Sequence, residues 1–290
     1  MNQTPPGGGP TVLRMILGRQ LQALREKAGM SYDQAAGAIY SSSYTIRRME
    51  RAEGGLKALT VKSLLLAYGV TDVREIDAFL ALARDASKPG WWHSYNDVLP
   101  NWFRTFVGLE EAASLIRGYD PHWIPGLLQT PDYALASVRT GFPDASQDEV
   151  QRRVELRLAR QHILARPDPP RLWLVLDENT LRRPAATTGP AVMRAQIDAL
   201  IQAAARPAIT IQVLPFGAGL HPAMYGPFRL FRFEAPEQPD IVYGEAMTSA
   251  YYVDKPEETA VYVQALDRIS AQAAPSQDTE NTLRAIGKEI

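Results

Sequence analysis

The sequence predicts two domains of different class: a small all-α domain of five short helices, then a larger α+β domain with a mostly antiparallel sheet. Three observations support this. Up to about residue 86, apolar residues recur at helical steps. Beyond "ARPDPP", β-rich runs bounded by Pro, Gly or Asp take over. The charge also divides: residues 11–70 hold nine Lys/Arg against four Asp/Glu, whereas the remainder carries a net charge of −6. A basic head on an acidic body suggests that only the head meets a polyanion.

In the head, residues 1–10 are uncharged and rich in Pro and Gly, as in a flexible tail. From residue 11, Leu13, Leu17, Leu21, Leu24 and Ala28 form one helical stripe, which Gly29 stops. Ser31 caps a second helix whose short apolar face is Ala35, Ala36 and Ile39, and Ser42 caps a third. A fourth helix is predicted over Thr60–Tyr68, closed by Gly69. A fifth begins at Asp72 with Glu75 in a capping box and turns Ile76, Phe79, Leu80 and Ala83 inward. The head therefore spans residues 11–86.

The body is predicted over 87–275, with 276–290 as a C-terminal tail that is either a last helix or frayed. "KPGWWHSYNDVLPNWF" reads as a connector pinned by aromatics, and its first half as the joint that transmits regulation. Helices are predicted at 100–106, 109–116, 131–139 and 147–165. Strands follow at "RLWLVLDE", "AITIQVLPF", "PFRLFRFE", "DIVYGEA" and "AYYVD", with helices over 191–205 and 255–271.

Hydrophobic residues make up 46% of the chain and charged ones 22%, values of an ordinary globular protein. No apolar run reaches the roughly 18 residues of a membrane span, and the start lacks a signal-peptide core. The absence of cysteine excludes disulfides, thiolate metal sites and cysteine nucleophiles, and fits the cytoplasm.

The third helix carries the clearest chemistry. At 100° per residue, Ile46 and Met49 point to the core, while Tyr44, Arg47, Arg48 and Arg51 share the opposite side within about 100°. Ser42, Ser43 and Thr45 stand at its N-terminal end. Arginine can grip guanine edges or phosphate, and Ser can hold phosphate oxygens. Ala36, Tyr40 and Ile46, at relative positions 0, +4 and +10, supply the small crossing residue, turn residue and β-branched core residue of a helix-turn-helix.

On these residues "MSYDQAAGAIYSSSYTIRRMER" resembles the Cro/repressor-type (XRE) helix-turn-helix family. The resemblance implies binding of double-stranded DNA as a homodimer on inverted repeats, with the third helix in the major groove. Ser42, Ser43, Tyr44, Thr45, Arg47, Arg48 and Arg51 then approach the DNA, with Ser31, Tyr32, Arg14, Arg19, Lys57 and Lys62 as candidate phosphate contacts. Tyr40 replaces the usual turn glycine, and Tyr32 a common phosphate-binding glutamine.

The body yields no catalytic or metal set. Its four histidines are scattered, and it lacks G-x-S-x-G, H-E-x-x-H and a phosphate loop. Asp177 and Glu178 read as a turn cap, and no cofactor is implied. The blocks "PGWWHSYNDVLPNWF", "GLEEAASLIRGYDPHWIPGLLQTPDYA", "VELRLARQHIL", "LDENTLRRP" and "VLPFGAGLHPAMYGPFRLF" resemble the C-terminal domain of the actinobacterial WhiJ-like regulators. That likeness implies transcriptional regulation in development or secondary metabolism, and an antitoxin-like pairing with a small protein from a neighbouring gene. The residues themselves leave two binding roles open. One is a partner surface from Trp102, Phe103, Tyr119, Trp123, Ile124, Leu127 and Leu128. The other is a small-molecule effector pocket lined by Trp173, Phe216, His221, Tyr225, Phe228 and Tyr243. A DNA-binding head fused to a hydrolase or transferase domain is the remaining alternative.

Overall fold

The computed structural model describes residues 10–183, 185–235 and 238–290. Apart from Pro10, the expected N-terminal tail lies outside these residues. The chain divides into two compact units, residues up to His93 with 233–238, and residues 94–232 with 239–290.

The described part of the first unit is helical: α1 (Pro10–Lys27), α2 (Tyr32–Ala38), α3 (Ser43–Glu50), α4 (Ala58–Ala67) and α5 (Val73–Ala86). Leu17, Leu21, Ala35, Ala36, Ile46, Met49, Leu64 and Leu65 close into one core with residues of α5. Local signals set the helix ends. Gly29 turns left-handed at φ 65° while Met30 N–H returns to Arg25 O at 3.1 Å, and Gly69 does the same after α4 at φ 84°. Ser31 and Gln34 exchange both bonds of a capping box. Asp72 caps α5 through Arg74 N–H at 2.8 Å, without the reciprocal bond expected from Glu75.

Two features bring α1 against α3. A Cβ at Gly18 would sit 2.5 Å from Glu50 O and 2.9 Å from Met49 O, so only glycine permits this crossing. Beside it, Arg25 and Glu50 form a buried ion pair, Nε to Oε1 at 2.6 Å and Nη2 to Oε2 at 3.0 Å. The pair holds the Arg25 guanidinium above its ordinary pKa, chiefly through the Glu50 hydrogen bond.

The second unit is built on one six-stranded sheet, in the order β3-β2-β1-β4-β5-β6. The strands are β1 (Leu115–Asp120), β2 (Arg171–Asp177), β3 (Ile209–Leu214), β4 (Phe228–Arg232), β5 (Ile241–Glu245) and β6 (Ala250–Val253). The sheet is mixed: β1–β4, β4–β5 and β5–β6 are antiparallel, in keeping with the expectation of a mostly antiparallel sheet, whereas β1–β2 and β2–β3 are parallel. One of the parallel pairings belongs to β1, where the sequence suggested a helix over 109–116. In fact α6 (Asn101–Ala112) ends there and a strand starts three residues later. "LIRGYD" has too few β-branched residues to announce itself, and it is a strand because both its edges are paired.

Crossover helices join the parallel strands. Between β1 and β2 run α7 (Pro131–Gly141) and α8 (Gln147–Ala159), the latter continued by a 3-10 turn to Ala165. Between β2 and β3 run α9 (Glu178–Arg182), α10 (Ala185–Thr188) and α11 (Pro190–Ala204). The helix count of the body thus exceeds the expectation. Along each strand side chains alternate between faces. Tyr119, Val175, Phe228, Leu230 and Val242 share one face and pack with Leu266 and Ile269 of α12 (Pro256–Gln272). Tyr243 and Phe231 lie on the other and meet Phe106 of α6. The last fifteen residues, expected as a tail that is a last helix or frayed, form a 3-10 turn and the helix α13 (Thr279–Glu289), which buries Leu283 and Ile286.

Candidate nucleic-acid interface

The turn and the capping of α3 define the candidate surface. Ile39 closes α2, and Tyr40 then adopts φ 52° with its side chain wholly exposed. This is the position where the expected glycine is missing, and the left-handed turn forms nonetheless. Ser42 caps α3, its Oγ accepting from Thr45 N–H at 3.2 Å and lying 3.1 Å from Thr45 Oγ1. Both hydroxyls are therefore engaged in the cap. Behind the helix Ile46 and Met49 are buried at 0% and 2% exposure.

In front, Tyr44, Arg47, Arg48 and Arg51 are exposed, and Ser43 partly so. Their guanidiniums are not equivalent. Arg47 lies 4.5 Å over the Tyr32 ring, which carries Arg25 on it at 4.0 Å. Arg48 lies 5.7 Å over Tyr44 and donates to Glu53 O at 2.9 Å. Arg51 ends the helix. Tyr32 therefore orients an arginine, in a position where the family pattern led to the expectation of a phosphate contact. Ser31 is held in its capping box. Arg14 and Arg19 lie partly exposed on α1, while Lys57 at the start of α4 and Lys62 within it are exposed.

Sequence reasoning missed the Arg25–Glu50 pair beneath this surface. Its signal was there: Arg25 is four residues after Leu21 on the apolar stripe, and Glu50 follows Met49. A charge at a core position on each of two neighbouring helices calls for a partner.

Residues 16–79 match a family described as Helix-turn-helix domain. Residues 103–285, more than half of the chain, match a family described as Domain of unknown function (DUF5753). The chain belongs to the DUF5753 family. No curated protein and no solved structure matches it. No helix among the described residues is long and apolar enough to cross a membrane, and no group of three or more His, Asp or Glu among them could hold a metal ion.

The structure distributes the six candidate pocket residues of the DUF5753 domain over different surroundings. Trp173 and Phe228 lie on the α12 face, Trp173 donating to Gln212 Oε1 at 2.8 Å and stacked by Arg117. Tyr243 lies on the opposite face, its hydroxyl on Glu245 at 2.8 Å. Phe216 and Tyr225 are exposed. His221 packs on Tyr119, the cross-strand neighbour of Phe228, its Nε2 3.3 Å from the Tyr119 hydroxyl, which donates to Asp177 at 3.0 Å. Trp173 and Tyr243 do not line one pocket together, because strand alternation sends their side chains to opposite faces of the sheet. A shallow cleft of about 390 Å³ between Pro239, Asp240 and α12 contains none of the six.

Of the candidate partner surface, Tyr119, Ile124, Leu127 and Leu128 are buried, while Trp123 is exposed and Trp102 and Phe103 partly so. Asp177 caps α9 through Asn179 N–H at 2.9 Å, and Glu178 holds Arg182 Nε at 2.6 Å and accepts from Phe216 N–H at 3.0 Å.

Proposed function

We propose that the chain is a sequence-specific, DNA-binding transcriptional regulator that inserts α3 into the major groove. The observation that carries this reading is the exposed row of Tyr44, Arg47, Arg48 and Arg51 on a capped helix with a buried back. It stands within the segment that matches a helix-turn-helix domain. In this reading a homodimer places two such helices on half-sites about one helical turn apart.

The DUF5753 domain acts as the sensing body, through a partner protein or a small ligand. A role in development or secondary metabolism follows from the likeness to the WhiJ-like regulators. A binding role is preferred to a hydrolase or transferase because the acidic pair at the end of β2 is already committed to a cap, an arginine and a backbone N–H. Control then requires that the ligand bind the DNA-competent and incompetent states unequally, by about 1.4 kcal/mol for a tenfold effect.

The test is selection of genomic fragments by the purified protein, followed by affinity measurements across salt. Binding that weakens linearly in log[salt] is expected. Arg48→Ala should cost about 1–3 kcal/mol at one base position. Affinity indifferent to salt, or no fragment retained, would remove the proposal.

A further inference from the structure

We infer that Arg157 anchors an anion-binding site in the DUF5753 domain, which takes a small ligand by its carboxylate or phosphate group. Arg157 sits among arginines that are satisfied. One turn before it on α8, Arg153 holds Glu149 at 2.7 and 2.9 Å. Just after it, Arg160 holds Glu110 through two bonds of 2.7 and 2.8 Å. Arg157 has no such counter-ion: among the described residues no carboxylate lies within ion-pair distance of it. Its Nη1 donates to Gln129 Oε1 at 3.1 Å and to Ser137 Oγ, both neutral. Nε and Nη2 have no acceptor among the described residues.

Those two nitrogens are not sealed in the core. The side chain keeps some exposed surface, and neither atom is among the buried groups that lack a partner. Yet enough protein surrounds the group for burial, aided by the Arg160 charge, to pull its pKa down to about 10. The guanidinium is thus partly enclosed by protein while its Nε and Nη2 stay open to solvent. A half-buried cation whose protein partners are all neutral is poorly compensated, and an arriving anion supplies what is missing. Gln129 and Ser137 fix the guanidinium through one nitrogen, which leaves the Nε–Nη2 edge presented as a fork for two oxygens.

Glu245 shapes the selectivity. Its exposed carboxylate at the end of β5 acts on the Arg157 charge without pairing with it. It therefore opposes an incoming anion and favours a ligand whose remainder offers a hydrogen-bond donor or a positive charge. The segment "IPGLLQTPDYA" thereby gains a purpose, since Gln129 within it braces the anchor.

The experiment follows the arginine Nε–H resonances of the full-length ¹⁵N-labelled protein, the Arg157 signal being identified by its loss in Arg157→Gln. Acetate and inorganic phosphate are titrated separately, with chloride holding ionic strength constant. A saturable shift of the Arg157 resonance with either anion, half-complete at about 1–50 mM, is expected for one fork-bound anion. Acetate alone assigns a carboxylate ligand and phosphate alone a phosphorylated one. Glu245→Gln, at an exposed position that spares the fold, should tighten binding about threefold. The inference fails if neither anion saturates, if the shifts persist with equal affinity elsewhere in Arg157→Gln, or if Glu245→Gln weakens binding. It deepens the reading of the body as a ligand sensor, but the measurement involves no DNA, so its failure leaves the helix-turn-helix reading intact.

Discussion

At Tyr40 the backbone adopts a left-handed conformation that an L side chain pays for with roughly 1–2 kcal/mol. The ring recovers nothing by packing, because it is wholly exposed. The family pattern made the missing glycine legible in the sequence, and the structure locates the strain there. A second tyrosine, Tyr68 at the end of α4, is buried with its hydroxyl unpartnered among the described residues. Burial raises its pKa to about 12. Above pH 10 the unfolded chain releases this proton while the folded protein keeps it. The folded state then binds more protons, and stability falls as pH climbs from 10 towards 12. Tyr68→Phe should gain about 1 kcal/mol at neutral pH by removing an unsatisfied group, and should flatten the alkaline decline. Urea unfolding at pH 7 and at pH 11 checks both. A variant less stable at pH 7, with the alkaline slope unchanged, would contradict the account.

At the scale of elements, the crossing of α1 over α3 positions the candidate DNA-reading face. Arg25→Met leaves Glu50 as an unpaired buried charge, which should cost about 3–5 kcal/mol. Adding Glu50→Leu should recover most of that loss, since two apolar side chains need no counter-ion. A denaturant series on the single and double variants measures this, and additive losses would show that the pair is not the coupling. The helices of the head were legible because apolar steps and caps act locally: Ser31, Ser42, Gly29 and Gly69 each work within a few residues. The ion pair was not, because its partners are 25 positions apart. For the same reason β2 to β6 could be read from their own runs, whereas β1 needed two distant neighbours to become a strand. The candidate DNA-contacting row was readable from one helix. The surroundings proposed to anchor an anion at Arg157 were not, since Gln129 and Ser137 reach the guanidinium from 28 and 20 positions away.

Over the whole molecule, the last helix is part of the body. Leu283 is fully buried and Ile286 nearly so, with α13 packed along α11 and β3. Leu283→Ala should cost about 2–5 kcal/mol, and a chain ending at Pro275 should lose its cooperative melting transition on a calorimeter. A truncated chain that melts like the full one would return these residues to the status of a tail. The placement of β1 has a consequence for how the chain is made. Its partner β4 begins at Phe228, 108 residues after β1 ends at Asp120. At about 5–20 residues per second, a ribosome needs on the order of ten seconds to translate the intervening stretch. Until β2 emerges both edges of the central strand are open, and until β4 emerges one still is, so nascent chains are most vulnerable to aggregation in that window.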